Sequence, residues 1–164
     1  MSTPSRPRSP LLLATLAISV ALFAACLTQK CYCSGNNGCG DSLAVLLTGG
    51  LGILAEFGTL SDHGLQYPVG ATFTWLANPL LVLAWFFALR DRKVALGLAV
   101  AASALSSSFL LFKHVIGSNA GQYTDIIGYA AGYWLWVASA CVLALGLAVD
   151  TLRSRAPAQA PRGA

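Results

Sequence analysis

The sequence predicts an all-α integral membrane protein: a four-helix bundle with an additional interfacial or re-entrant helix on the outer side. Three observations carry that expectation. Hydrophobic residues make up 56% of the 164 residues and charged residues only 10%, against about 25% charged in soluble domains. The apolar residues stand in long solid blocks. The Lys and Arg residues flank those blocks rather than interrupt them.

A span needs about 20 apolar residues to cross a hydrocarbon core of roughly 30 Å. Inside it every backbone N–H and C=O must find its partner within the protein, which leaves helices or closed barrels. A barrel would show many alternating strands of about ten residues, and this chain does not.

Residues 1–10 are polar, Pro-rich and basic through Arg6 and Arg8, and read as a disordered cytoplasmic leader. One transmembrane domain is expected over residues 11–150, with spans at about 11–27, 69–89, 94–112 and 133–149. Arg90, Asp91, Arg92 and Lys93 form a tight charged turn between the second and third spans. Residues 151–164 are Pro/Ala/Arg-rich and read as a disordered cytoplasmic tail.

Residues 43–60 are apolar but are interrupted by Gly49, Gly50 and Gly52, and they carry Glu56. Leu43, Leu46, Leu47, Ile53, Leu54 and Phe57 share one helical face; Thr48, Gly52, Ala55, Glu56 and Thr59 share the other. That pattern fits a helix lying in the outer interface or a re-entrant segment. Charge counting agrees. Four spans with both termini cytoplasmic put eight Lys and Arg inside and leave only Lys30 and Lys113 outside; five spans give seven to three and strand the basic leader outside.

Trp75, Trp85, Tyr133, Trp134 and Trp136 fall near the ends of spans, where aromatic residues anchor at the headgroup boundary. Ala95, Ala99, Ser103 and Ser107 repeat every four residues on the third span, and Gly128 and Gly132 do so near the start of the fourth. Small residues at that spacing let helices approach closely. Asn78 and Pro79 interrupt the second span; the proline kinks it, and Asn78 satisfies a freed carbonyl or bonds to a neighbouring helix.

Cys26, Cys31, Cys33 and Cys39 crowd the first outer loop. They are disulfide candidates with three possible pairings. Cys33 could reach Cys39 around the turn at Gly35, Asn36, Asn37 and Gly38. A structural staple is the plainest reading. Thiol–disulfide exchange is the alternative, although no CxxC is present and the second outer loop has no cysteine. His63, His114, Asp41, Asp62 and Asp125 also lie on the outer side, yet their spacing matches no standard zinc site; no metal and no cofactor is expected. Leu22-Phe23-Ala24-Ala25-Cys26 resembles a bacterial lipoprotein signal, while an uncleaved first helix is the default.

No ionisable residue falls deep in any of the four expected spans, unlike ion pumps and proton-coupled transporters. GxSxG, HExxH and P-loop motifs are absent. No basic cluster interleaved with aromatics suggests nucleic acid.

Trp75-Leu76-Ala77-Asn78-Pro79-Leu80 and Gly132-Tyr133-Trp134-Leu135-Trp136 together resemble a loose group of small uncharacterised bacterial inner-membrane proteins. The resemblance covers roughly residues 43–149. It implies the four-span layout, the outer placement of 43–60 and a plasma-membrane location, and it carries no activity. With no catalytic constellation and no intramembrane charge, the expected function is a non-enzymatic accessory, scaffold or immunity-type component with a disulfide-stapled outer loop. Its expected partners are the lipid bilayer and other membrane proteins or itself. A thiol oxidoreductase, or a small oligomeric channel lined by the serines of the third span, stands as the alternative.

Overall fold

The computed structural model describes residues 9–35, 38–63, 70–116 and 123–155. Helix α1 (Pro10–Leu27) opens with Pro at its first position, and Ser9 caps it by accepting from the Leu12 N–H at 3.1 Å. The Thr28 hydroxyl closes it by donating to the Ala25 carbonyl. Two short strands follow, β1 (Lys30–Ser34) and β2 (Gly38–Asp41), paired antiparallel with Cys33 opposite Cys39. Gly38 takes a φ of 68°, a left-handed conformation that glycine adopts without steric cost.

Helix α2 (Ser42–His63) covers the stretch expected as the outer helix. A 3-10 segment (Thr72–Leu76) leads directly into α3 (Ala77–Ala88). Helix α4 (Arg92–Ser108) starts from Asp91, whose carboxylate accepts from the N–H groups of Lys93 and Val94. It ends in a 3-10 turn (Phe109–Leu111), after which come β3 (His114–Ile116), β4 (Tyr123–Tyr129) and α5 (Ala131–Arg155). The rest of the leader expected over 1–10, and the end of the tail expected over 151–164, lie outside the described residues; α5 itself runs into that tail.

Helices α1, α3, α4 and α5 pack side by side, with α5 between α1 and α4, and α4 against α3. Their shared core is built largely from Ala77, Ala84, Ala88, Ala95, Ala99, Ala102 and Ala140, with Leu12, Leu81, Leu143 and Leu147. Alanine at so many contact positions allows close helix approach. The outward faces are apolar as well: Leu13, Ile18, Val20, Val82, Phe86, Val100 and Leu145 are exposed. Among the described residues, three helices are long and apolar enough to cross a membrane: Pro10–Leu27, Arg92–Leu111 and Ala131–Ser154. The apolar segment Thr72–Ala88 is shorter.

The expectation of an all-α protein needs correction. The chain is mostly helical, but the connections leaving α1 and α4 meet in one antiparallel sheet of order β2-β1-β4-β3 at one end of the bundle. These strands are too short and too irregular to show a two-residue hydrophobic period, and the register slips in both pairings made by β1. What makes them strands is pairing across the chain, which a local reading does not see. Gly128 lies in β4, so it shares no helical face with Gly132.

Candidate functional site: a cavity beneath the sheet

Between the sheet end of α1, the first half of α2 and the 3-10 segment lies an apolar cavity of about 530 Å³. Phe23, Leu27, Val45, Leu46, Trp75 and Phe109 form much of its wall. Cys26, Cys31, Ser42, Asn78 and Trp136 contribute polar or polarisable atoms.

Local sequence explains how the walls stand. The three glycines that interrupt α2 face the 3-10 segment. A Cβ at Gly49 would lie 2.2 Å from the Trp75 ring, and one at Gly52 would lie 2.7 Å from the Thr72 methyl. Glycine therefore lets α2 rest directly on Trp75, whose indole N–H donates to the Leu46 carbonyl at 2.9 Å. Asn78 stays local: its amide donates to the Trp75 carbonyl at 3.0 Å. Pro79 sits in the first turn of α3, where a missing N–H leaves no helical bond unmade. The kink expected inside a long span is instead a junction between 3-10 and α geometry.

The cysteines separate into two sets. Cys33 and Cys39 form a disulfide across the β1–β2 hairpin. Cys26 and Cys31 are buried thiols, and Cys141 is a half-buried one. The Ser42 hydroxyl lies against both buried thiols. Burial pushes the Cys31 thiol up to about 12, Cys26 beside it adds to the effect, and Ser42 acts in the opposite sense. Burial also raises Tyr32 and Tyr129 above the usual tyrosine range. A thiol in that condition is protonated at neutral pH, whereas nucleophilic cysteines are thiolates of lowered pKa.

The aromatic residues expected as interface anchors divide in the same way. Trp134 is exposed. Tyr133 is fully buried and donates to the Ser106 carbonyl at 3.1 Å. Trp85 points into the bundle, donating to Ser19 Oγ at 2.9 Å with its ring edge-on to Phe23. Trp75 and Trp136 line the cavity. On α4 the buried positions are Ala95, Ala99, Ala102 and Ser106, while Ser103 and Ser107 are half-buried. The buried stripe thus steps by three after Ala99, following the 3.6-residue turn rather than the four-residue spacing. Gly132 is held by space: a Cβ there would lie 2.3 Å from Ser42 Oγ and 2.6 Å from the Lys30 carbonyl.

Two residues that the sequence reading passed over matter here. Ser42 opens α2, next to Asp41, in a position typical of a helix start. Its Oγ is buried against the thiols of Cys26 and Cys31, and Trp136 Nε1 is buried with no hydrogen-bond partner among the described residues. At the opposite end of the bundle Asp150 is buried, ion-paired with Arg92 at 2.8 Å and bonded by the Ser9 hydroxyl. A lone acid closing an apolar run, with a basic turn elsewhere in the sequence, was the available signal.

Outside the cavity the sheet carries two exposed cross-strand pairs, Lys30–Asp41 and His114–Asp125, each at 2.6 Å. Such pairs are worth at most about 1 kcal/mol. The side chains of Asp62 and His63 lie outside the described ones. Among the described residues no three His, Cys, Asp or Glu side chains converge on a point where a metal ion would sit.

The fold and site together define a class: a helical bundle, apolar outside as well as inside, capped at one end by a stapled sheet over an apolar cavity. No known protein family, curated protein or solved structure matches the chain.

Proposed function

We propose that the chain is a non-enzymatic, multi-pass protein of the bacterial inner membrane, an accessory or scaffold component that presents the stapled sheet on the outer surface. The observation that carries this reading is the bundle's apolar exterior joined to a cap built from two separate connections. An exterior of Leu13, Ile18, Val20, Val82, Phe86 and Leu145 suits lipid as solvent.

The packing of α3 against α4 supports a fourth span. The segment Thr72–Ala88 is short in residues, but the 3-10 rise lengthens it to about 28 Å. Ser9 and Asp150 meet beside Arg92, so the start of α1 and the last turns of α5 share one end of the bundle. Arg90, Lys93 and Arg153 lie near that end, and the positive-inside rule favours it as the cytoplasmic one. Two alternatives lose support. The α4 hydroxyls of Ser103, Ser106 and Ser108 bond back to carbonyls of their own helix rather than offering a polar path. The protonated state of Cys31 disfavours thiol exchange.

Intact mass after rapid acid quench and thiol alkylation tests the reading in cells. One disulfide and three alkylated cysteines, Cys26, Cys31 and Cys141, are expected. A mixed population that shifts when the cell's thiol-oxidising pathway is removed makes the protein a redox enzyme and overturns the proposal. Reporter fusions after residue 34 and after residue 155 are expected on opposite sides of the membrane.

A further inference from the structure

We propose that Arg90 and Lys93, on either side of the α3–α4 turn, hold the phosphate of an anionic phospholipid whose acyl chains lie along the exposed faces of α3 and α4. The inference rests on the membrane reading above and deepens it, naming the lipid class and the residues that select it.

The charged turn divides its work. The Asp91 carboxylate caps α4, accepting from the N–H groups of Lys93 at 2.9 Å and Val94 at 3.3 Å. Arg92 turns inward, its side chain 24% exposed, to pair with buried Asp150 at 2.8 Å. Arg90 and Lys93 are exposed, and neither has a carboxylate partner among the described residues. The Arg90 guanidinium lies 4.0 Å from the centre of the Phe86 ring, which holds it against the bundle exterior. Charge counting along the sequence treats these three cations alike. The structure leaves two of them for a ligand.

Below each free cation the surface is apolar. On α3, Val82 and Phe86 are exposed and lead to Arg90 at a four-residue step. On α4, Lys93, Gly97 and Val100 share an exposed stripe, and Gly97 leaves open space beside it. The two helices pack together, so their stripes run side by side with both cations at one end. Charge above and hydrocarbon below is the shape of a phospholipid. A soluble phosphate or an acidic protein would meet the cations and leave the stripes uncovered. An anionic headgroup suits two cations, whereas a zwitterionic one would bring its own ammonium against them.

The test uses the full chain in detergent, with retained phosphatidylglycerol and phosphatidylcholine counted by native mass spectrometry. Preferential retention of phosphatidylglycerol is expected. Arg90→Gln and Lys93→Gln should each weaken it about fivefold. Arg92→Gln should lower stability and leave the lipid preference intact. Equal retention of the two lipids, a preference unchanged in Arg90→Gln and Lys93→Gln, or displacement of phosphatidylglycerol by inorganic phosphate overturns the proposal. Lys93→Gln alters an exposed side chain and decides the matter even if Arg92→Gln does not fold. Flotation of the chain with pure phosphatidylcholine vesicles separates the two levels: a chain that floats without preferring phosphatidylglycerol overturns this inference alone, and one that does not float overturns the membrane reading with it.

Discussion

The seam between α1 and α5 and the seam between α2 and the 3-10 segment use similar residues to opposite ends. Along α1–α5, Ser19 and Ser139 each donate to the other's carbonyl at 2.9 Å, and Thr15 lies where a Cβ of Gly146 would be, 2.2 Å away. Near its end Asp150 gathers Ser9 and Arg92. Glycine here removes space, and the hydroxyls are satisfied. Along α2, glycines also seat a neighbour, Trp75 and Thr72, but while Ser42 Oγ meets the Cys26 and Cys31 thiols, Trp136 Nε1 is buried with no partner among the described residues. Small residues and hydroxyls therefore do not mark packing or binding by themselves. What separates the two cases is whether the polar atoms are paired with each other, because an unpaired buried group costs about 1–3 kcal/mol and two paired ones do not.

The contrast can be broken first at Asp150. Asp150→Ala leaves Arg92 beside a buried hole and should destabilise the protein by about 3 kcal/mol, read by denaturant unfolding in detergent. If the pair is structural, the double variant Asp150→Leu with Arg92→Leu recovers most of that loss.

Next, Cys33→Ser opens the hairpin staple. Closing so short a loop is worth about 2 kcal/mol. The loss should loosen the sheet while the α1–α5 seam keeps its hydrogen-exchange protection.

Gly146→Ala should cost about 1.5 kcal/mol, because Thr15 blocks the new methyl. Gly97→Ala has nothing within 4 Å of the added carbon and should stabilise α4 by about 0.5–1 kcal/mol. Equal effects at the two glycines would mean that the tight seam is not tight.

The smallest effect concerns pH. Cys31 has its folded pKa raised to about 12, so folding holds its proton. That contribution is fully present below the unfolded thiol value of about 8.5 and is lost as pH rises toward 12. Iodoacetamide at pH 8 should label Cys31 in unfolded protein and spare it in the folded state; rapid labelling of folded protein at pH 8 would mean that the thiol is neither buried nor protonated.

Much of the helical layout was legible in the chain. Solid apolar blocks specify helices whatever their neighbours, because backbone hydrogen bonds inside a helix are local, and so α1, α4 and α5 lie close to their expected positions. The charged turn at Arg90–Lys93 was equally local, as was a helix over 43–60. The sheet was not legible: β1 owes its strand character to β4, about ninety residues away in the chain. Nor could spacing show which tryptophans face outward, since Trp134 and Trp136 differ by only two positions and point to different surroundings. Composition and hydrophobic blocks alone determined that this is a helical chain suited to lipid. Tertiary structure alone decided that two connections join as a cap, that Cys33 pairs with Cys39, and that Ser42 and Trp136 meet at one cavity. Those outcomes depend on contacts between distant segments, and local pattern carries no information about them.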